Sequence, residues 1–258
     1  MSNHVLLLGG SGKIAQLLTP LLLQRSWNVT SIIRNPDQVA NLQKLGESQS
    51  GKLNVLVRSL EDVKSEAQAK TLIDEVKPNY VVWSAGAGGK GAPERTDSID
   101  RDAAIHFIKA SAATQSITKF LMVSFTGSRV NKAPWYSDAD WADYLKIRAK
   151  LQRYSDAKIA ADEVLYLEGK KRSDFAAINL RPGTLTDEPA GKVELGRLKT
   201  PSSKSSRASV AQLAALLLDN KDVKSAWLDM LDGNEDPEVA VQRVVKEGVD
   251  DAEGEPFF

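Results

Sequence analysis

Near its start the chain runs Val5-Leu6-Leu7-Leu8-Gly9-Gly10-Ser11-Gly12-Lys13-Ile14-Ala15: four apolar residues, three glycines within four positions, then the opening of a segment with helical period. An apolar run without polar alternation suits a strand buried on both faces. Gly9 permits a tight turn, Gly12 lets backbone approach a bound group, and Ala15 is small enough for a helix to pack closely on a sheet. The N–H groups that open the helix, over Ser11, Lys13 and Ile14, lie at the positive end of its dipole and suit a phosphate. The spacing is G-x-x-G-x-x-A, a variant of the dinucleotide fingerprint. It lacks the G-x-x-x-x-G-K-[ST] of a P-loop.

Working outward, further apolar runs follow at Val29 to Ile33, Leu53 to Val57, Tyr80 to Trp83, Phe120 to Phe125 and Phe175 to Leu180. Between them lie helical-period segments such as Lys13 to Gln24, Ser98 to Thr114 and Ala139 to Leu167. This alternation predicts an α/β fold, a doubly wound parallel sheet with helices on both faces. A Gly, Pro and Ser-rich stretch, 184–206, follows Arg181-Pro182-Gly183 and reads as a substrate-side loop. Ser209 is expected to cap a helix from Val210 to Leu218, Ala226 to Leu231 to add a strand, and Asp236-Pro237-Glu238 to start a last helix ending near Glu247. We expect one domain over 1–233, with 234–258 a C-terminal helix and acidic tail.

Composition narrows the function. The chain has 258 residues, 34 Lys+Arg against 34 Asp+Glu, 42% hydrophobic residues and no cysteine, so disulfides and cysteine metal sites are excluded. A net charge of zero without long basic runs argues against nucleic acid and anionic membranes. The first apolar run is too short for a signal peptide, and no apolar run reaches membrane-spanning length. A cytoplasmic protein acting on a small molecule is expected, as a monomer. His4 and His106 have no metal-ligand spacing and read as structural; Asp138, Asp140 and Asp143 read as a capped helix start, and no metal is expected.

About 20 residues past the fingerprint, NAD enzymes usually place a carboxylate that holds the ribose 2′-hydroxyl. Here Arg34 stands in that place, able to pair with a 2′-phosphate, with no carboxylate at the strand end to oppose it. The cofactor expected is therefore NADP, with NADPH preferred over NADH. Ser124 falls at the C-terminal edge of the fifth strand, where open α/β sheets bind ligands. Tyr154 and Lys158, at i and i+4, share a helix face, and a nearby cation favours the phenolate. A second such pair, Tyr166 with Lys170, is set aside because the helix ends there. Trp135 and Tyr136 fit either an aromatic wall for substrate or an anchor for their loop.

Taken in order, Gly9 to Ala15, Arg34-Asn35-Pro36, Ser84 to Gly88, Val123-Ser124, Tyr154 to Lys158 with Ala161-Asp162, and Arg181 to Thr186 resemble the atypical short-chain dehydrogenase/reductase family. The likeness is to its NAD(P)-binding, NmrA-like and flavin-reductase-like branch, and covers about His4 to Gly233. It implies a Rossmann sheet ordered 3-2-1-4-5-6-7. It also implies that Ala85, Gly86 and Ala87 lie against the cofactor ribose and that Pro182 and Gly183 lie beside the nicotinamide. Tyr154 would be the proton donor, Lys158 would hold the nicotinamide ribose and lower the tyrosine pKa, and Ser124 would orient a carbonyl. Arg207 sits where the family often has a structural arginine.

Two departures stand out. The third strand ends Arg58-Ser59-Leu60 where the family usually carries an adenine-contacting Asp, which leaves Ser59 and Leu60 to meet the base. The helix from Asp97 to Thr114 has no asparagine for the fourth catalytic position. The resulting expectation is an NADP-dependent oxidoreductase reducing a small carbonyl, quinone or flavin-like substrate. A non-catalytic NADP-binding redox regulator shares the same turn. A sugar-nucleotide epimerase/dehydratase fits less well, because little chain follows the sixth strand.

Overall fold

A computed structural model describes residues 2–88, 92–198 and 203–258. Its strands are β1 (His4–Leu8), β2 (Asn28–Ile33), β3 (Leu53–Val57), β4 (Tyr80–Trp83), β5 (Lys119–Val123), β6 (Ala176–Pro182), β7 (Thr184–Thr186), β8 (Val193–Leu195), β9 (Lys204–Ser206) and β10 (Ala226–Asp232). The helices are α1 (Lys13–Gln24), α2 (Val39–Gln43), α3 (Glu66–Val76), α4 (Ala104–Ala112), α5 (Asp138–Lys150), α6 (Gln152–Lys171), α7 (Arg207–Asp219) and α8 (Pro237–Glu247).

Eight strands form one sheet in the order β3-β2-β1-β4-β5-β6-β10-β8, all parallel except β8, which runs antiparallel to β10. The doubly wound parallel sheet read from the sequence is thus present, with an extra antiparallel edge. Alternate strand residues serve two cores: Val5 and Leu7 join α1, α7 and α8 on one face, while Leu6 and Leu8 join α3, α4 and α6 on the other. Burial on both faces is why these strands read as unbroken apolar runs. Strand order reverses between β1 and β4, and ligands of such sheets bind outside the strand ends at that point.

Several local readings need correction. The segment 139–167 is two helices, broken at Leu151, whose backbone leaves the helical region. Ser137 and Asp140 form a capping box at the start of α5, whose one buried residue is Tyr144. Helix α7 is capped by Ser206, which accepts from the Ser209 N–H at 2.9 Å, so Ser209 lies inside the helix. The stretch 184–206 carries three short strands, β7 pairing in parallel with β9, and its residues 199–202 lie outside those described.

The acidic tail folds back onto the body. Trp227 donates its N–H to Asp250 Oδ1 at 2.9 Å, and Asp251 accepts from the Asp229 and Arg197 N–H groups at 2.6 and 2.7 Å. Arg129, fully buried, pairs with Glu255 at 3.2 Å and donates to the Asp251 and Glu253 carbonyls. Acid residues that look solvated in sequence are here the partners of a buried guanidinium. Glu255→Ala leaves Arg129 without its counter-charge and should lower the unfolding free energy by roughly 3 kcal/mol. Exposed Glu247→Ala should shift it by less than about 0.5 kcal/mol, both read by urea denaturation.

Candidate active site

The turn after β1 is built for close approach. Gly9 sits at φ +86°, and a Cβ there would fall 2.5 Å from the Ala85 Cα, so the turn can lie against the end of β4 only as glycine. Gly12 caps α1 with extended backbone and no side-chain hydrogen bond, and the first turn of the helix has no acidic residue. Its leading N–H groups therefore keep both their donors and their dipole for an anion.

This turn opens into a crevice of about 250 Å³ lined by Gly9, Ser11, Gly12, Arg34, Ser59, Leu60, Ala85, Gly86 and Ala87, together with Asn35, Arg58, Glu61 and Arg95. The residues read as the nucleotide turn, the ribose contact and the base contact thus line one cavity. Ile14 and Lys13 do not line it: Ile14 is buried, and Lys13 pairs with Asp187 at 2.5 Å. Lys158, Pro182 and Gly183 do not line this cavity.

One expectation about Arg34 fails. Its Nη1 lies 2.5 Å from Glu61 Oε1, so a carboxylate does face it. Arg95 binds the same carboxylate at 2.7 Å, and Glu61 is held below the usual carboxylate range by Arg95 first, then by Arg34. Glu61 comes from the turn after β3, 27 residues from Arg34 in sequence, and so is invisible to a search of the β2 end. Arg58 also lines the crevice, its guanidinium paired with Glu75 at 3.8 Å.

At the C-terminal edge of β5 a second cluster forms. The Lys158 ammonium, 2% exposed, donates to the Val123 carbonyl at 3.3 Å, lies 3.6 Å from Asp100 Oδ1 and sits 5.8 Å from the Tyr154 ring centre. Tyr154 is half-buried with its ring packed on Phe125, centroids 5.2 Å apart. Ser124 Oγ lies 2.7 Å from Asp162 Oδ2. Asp100 also accepts the Ala87 N–H at 2.9 Å, tying this cluster to the crevice wall.

A family model described as NAD(P)H-binding matches residues 9–221. The chain belongs to the NAD(P)H-binding family. It is 33% identical over 231 residues to the UPF0659 protein C216.03 of Schizosaccharomyces pombe, covering 88% of each chain. It is 27% identical over 233 residues to the uncharacterized sugar epimerase YhfK of Bacillus subtilis, covering 89% of this chain and 94% of that one. A solved Bacillus halodurans protein described as an NAD-dependent epimerase/dehydratase superposes with a TM-score of 0.75 at 24% identity, over 94% of this chain and 100% of that one. That likeness shows the fold, in keeping with the atypical short-chain dehydrogenase/reductase pattern.

Within this NAD(P)H-binding chain, Asp100 was the residue the sequence concealed. The helix read as lacking an asparagine supplies a carboxylate from a wide π-helical turn, Thr96–Ala103. The expected depression of the tyrosine pKa is also reversed. Burial raises the Tyr154 phenol, Lys158 pulls it down, and Asp100 and Asp162 push it up again, leaving it above its ordinary value. For Lys158, burial alone would lower the pKa, but Tyr154, Asp100 and Asp162 outweigh it and keep the amine charged. The resting site thus holds a neutral phenol beside a full ammonium.

The remaining candidates resolve simply. Tyr166 and Lys170 belong to the tail packing, with the Tyr166 hydroxyl donating to Asp250 at 2.9 Å. Trp135 anchors its loop, donating to the Leu198 carbonyl at 3.0 Å between Arg129 and Arg197, and Tyr136 is buried beside it. His4 bonds Thr30 Oγ1 at 2.8 Å, and Arg207 pairs with Asp187 at 2.6 Å. Among the described residues no cluster of three or more His, Asp or Glu could hold a metal, and no helix is long and apolar enough to cross a membrane.

Gly12→Asp separates the anion site from the fold. An aspartate at this extended cap position is a favourable helix cap, but its Cβ would stand 3.2 Å from the Gly9 carbonyl oxygen, so stability should fall by no more than about 1 kcal/mol. Its charge meets the nucleotide diphosphate, and affinity should fall at least about tenfold. Thermal melts and calorimetric titration of the same variant check both halves.

Proposed function

We propose that the protein is an NADPH-dependent oxidoreductase that reduces a small carbonyl, quinone or flavin-like acceptor. The observation that carries this reading is the joining, through Asp100, of the nucleotide crevice to a buried ammonium beside a phenol that retains its proton. When bound, the reduced nicotinamide supplies a hydride. The chain supplies the rest.

The uncapped start of α1 takes the diphosphate, and Gly9 holds the turn close enough to do so. Arg34, its side chain 60% exposed at the crevice rim, supports selection of the 2′-phosphate. Arg58 across the same cavity adds a second guanidinium. Lys158 holds a fixed positive charge next to Tyr154, which lowers the cost of the phenolate left after the phenol gives up its proton. A raised phenol pKa suits reduction, because the group must be protonated when the substrate oxygen gains charge. Ser124 then hydrogen-bonds that oxygen.

Purified protein should oxidise NADPH when given a suitable acceptor, and Tyr154→Phe should cut carbonyl turnover by roughly 100-fold or more with little change in nucleotide affinity. An unaltered rate removes Tyr154 from the chemistry. Tight nucleotide binding with no turnover across a broad acceptor panel replaces this reading with that of a nucleotide-sensing regulator. Separately, Arg34→Asp should weaken NADPH binding about tenfold or more while NADH binding holds or improves, read by parallel titrations. Equal wild-type affinities for the two nucleotides overturn the role given to Arg34.

A further inference from the structure

Tyr154, Lys158 and Asp162 stand at successive four-residue steps on α6, so one stripe carries a phenol, an ammonium and a carboxyl. Asp162 is fully buried, and its Oδ2 lies within hydrogen-bond distance of the Ser124 Oγ at 2.7 Å and the Ser128 Oγ at 2.5 Å, Ser128 also reaching the Phe125 carbonyl at 2.8 Å. The charged groups facing it are Arg181 on β6 at 3.6 Å and Lys158 and Tyr154 on its own helix. Behind these stand Asp100, beside Lys158, and Asp229 on β10, which takes the Arg181 Nε at 2.6 Å.

Counting the buried groups at this end of the sheet, Arg129, Arg181 and Lys158 face Asp100, Asp162, Asp229, Asp251 and Glu255. Buried charge without a counter-charge is costly, and carboxyls outnumber cations here, which disfavours all five being ionised together. Asp251 and Glu255 accept from backbone N–H groups, which cannot accept in return. Asp162 is the one of the five whose hydrogen-bonded neighbours are hydroxyl oxygens, able to take a proton as well as give one.

The geometry points to Asp162 as a protonated positioning residue that donates to Ser124 Oγ and so turns the Ser124 hydroxyl outward as a donor to the substrate oxygen. The part played by substrate rests on the reductase reading above. Burial, working against Arg181, the two serines and Lys158, raises the Asp162 pKa, in agreement. As pH rises and Asp162 ionises, Ser124 turns its hydrogen back to the carboxylate and reaches the substrate as an acceptor.

Two readouts test this. Infrared titration of the nucleotide-free protein should show a buried carboxylic-acid carbonyl band at neutral pH that is absent in Asp162→Asn; an identical band pattern in the variant overturns the proposal. Should that variant fail to fold, Ser124→Ala serves, because the midpoint of the band moves only if Ser124 is its partner. In turnover, Asp162→Leu should lower kcat by roughly tenfold or more with nucleotide Kd unaltered, and Asp162→Asn, whose amide always donates, should recover part of that loss. The wild-type fall in rate with rising pH that precedes Tyr154 ionisation should vanish in Asp162→Asn; its persistence overturns the role of Asp162. If no acceptor is reduced by the wild type, the reductase reading falls and the infrared titration decides the proton on Asp162 by itself.

Discussion

A fully buried ammonium at the end of a parallel sheet is tolerable only if the surrounding elements each give it something, and Lys158 receives a carbonyl from β5, a carboxylate from the turn that leads into α4 and a ring face from its own helix. That requirement fixes more than the lysine. Asp100 reaches it from a wide π-helical turn, and the same carboxylate holds the Ala87 N–H at the wall of the crevice. The crevice wall and the Lys158–Tyr154 cluster are thereby tied to one carboxylate. A shift of α6 along the sheet would be felt at both.

Much of this was legible in the sequence wherever the physics is local. Val5 to Leu8 announces a strand buried on both faces, and the glycine spacing announces the turn, although the neighbour that demands Gly9 is Ala85 of a distant strand end while that of Gly12 is the Gly9 carbonyl within the turn. The pairing of Tyr154 with Lys158 follows from helical spacing alone. Asp162 was visible on the same spacing one step further, but nothing in the sequence says that Ser124 and Ser128 would meet it.

What stayed hidden depends on contacts between distant segments. Glu61 answers Arg34 from the next strand-to-helix turn, so a rule that searches for a carboxylate at the end of β2 cannot find it. The tail after α8 has the composition of solvated chain, yet Asp250, Asp251 and Glu255 meet Trp227, Asp229 and Arg129 on the body. The tyrosine pKa went the other way for a related reason. One cation at i+4 was in view, whereas burial and two carboxylates, one of them from another helix, were not.

Two cations of the crevice lining and two from the starts of α1 and α7 share one further property. Lys13 and Arg207 are both held by Asp187, and Arg34 and Arg95 by Glu61, so each already has an acidic partner. Pairs this exposed contribute little stability, on the order of 0 to 1 kcal/mol each. Asp187 lies just past β7 and Glu61 just past β3, so the two carboxylates link the segment after β7 to the start of α1 and the turn after β3 to the end of β2.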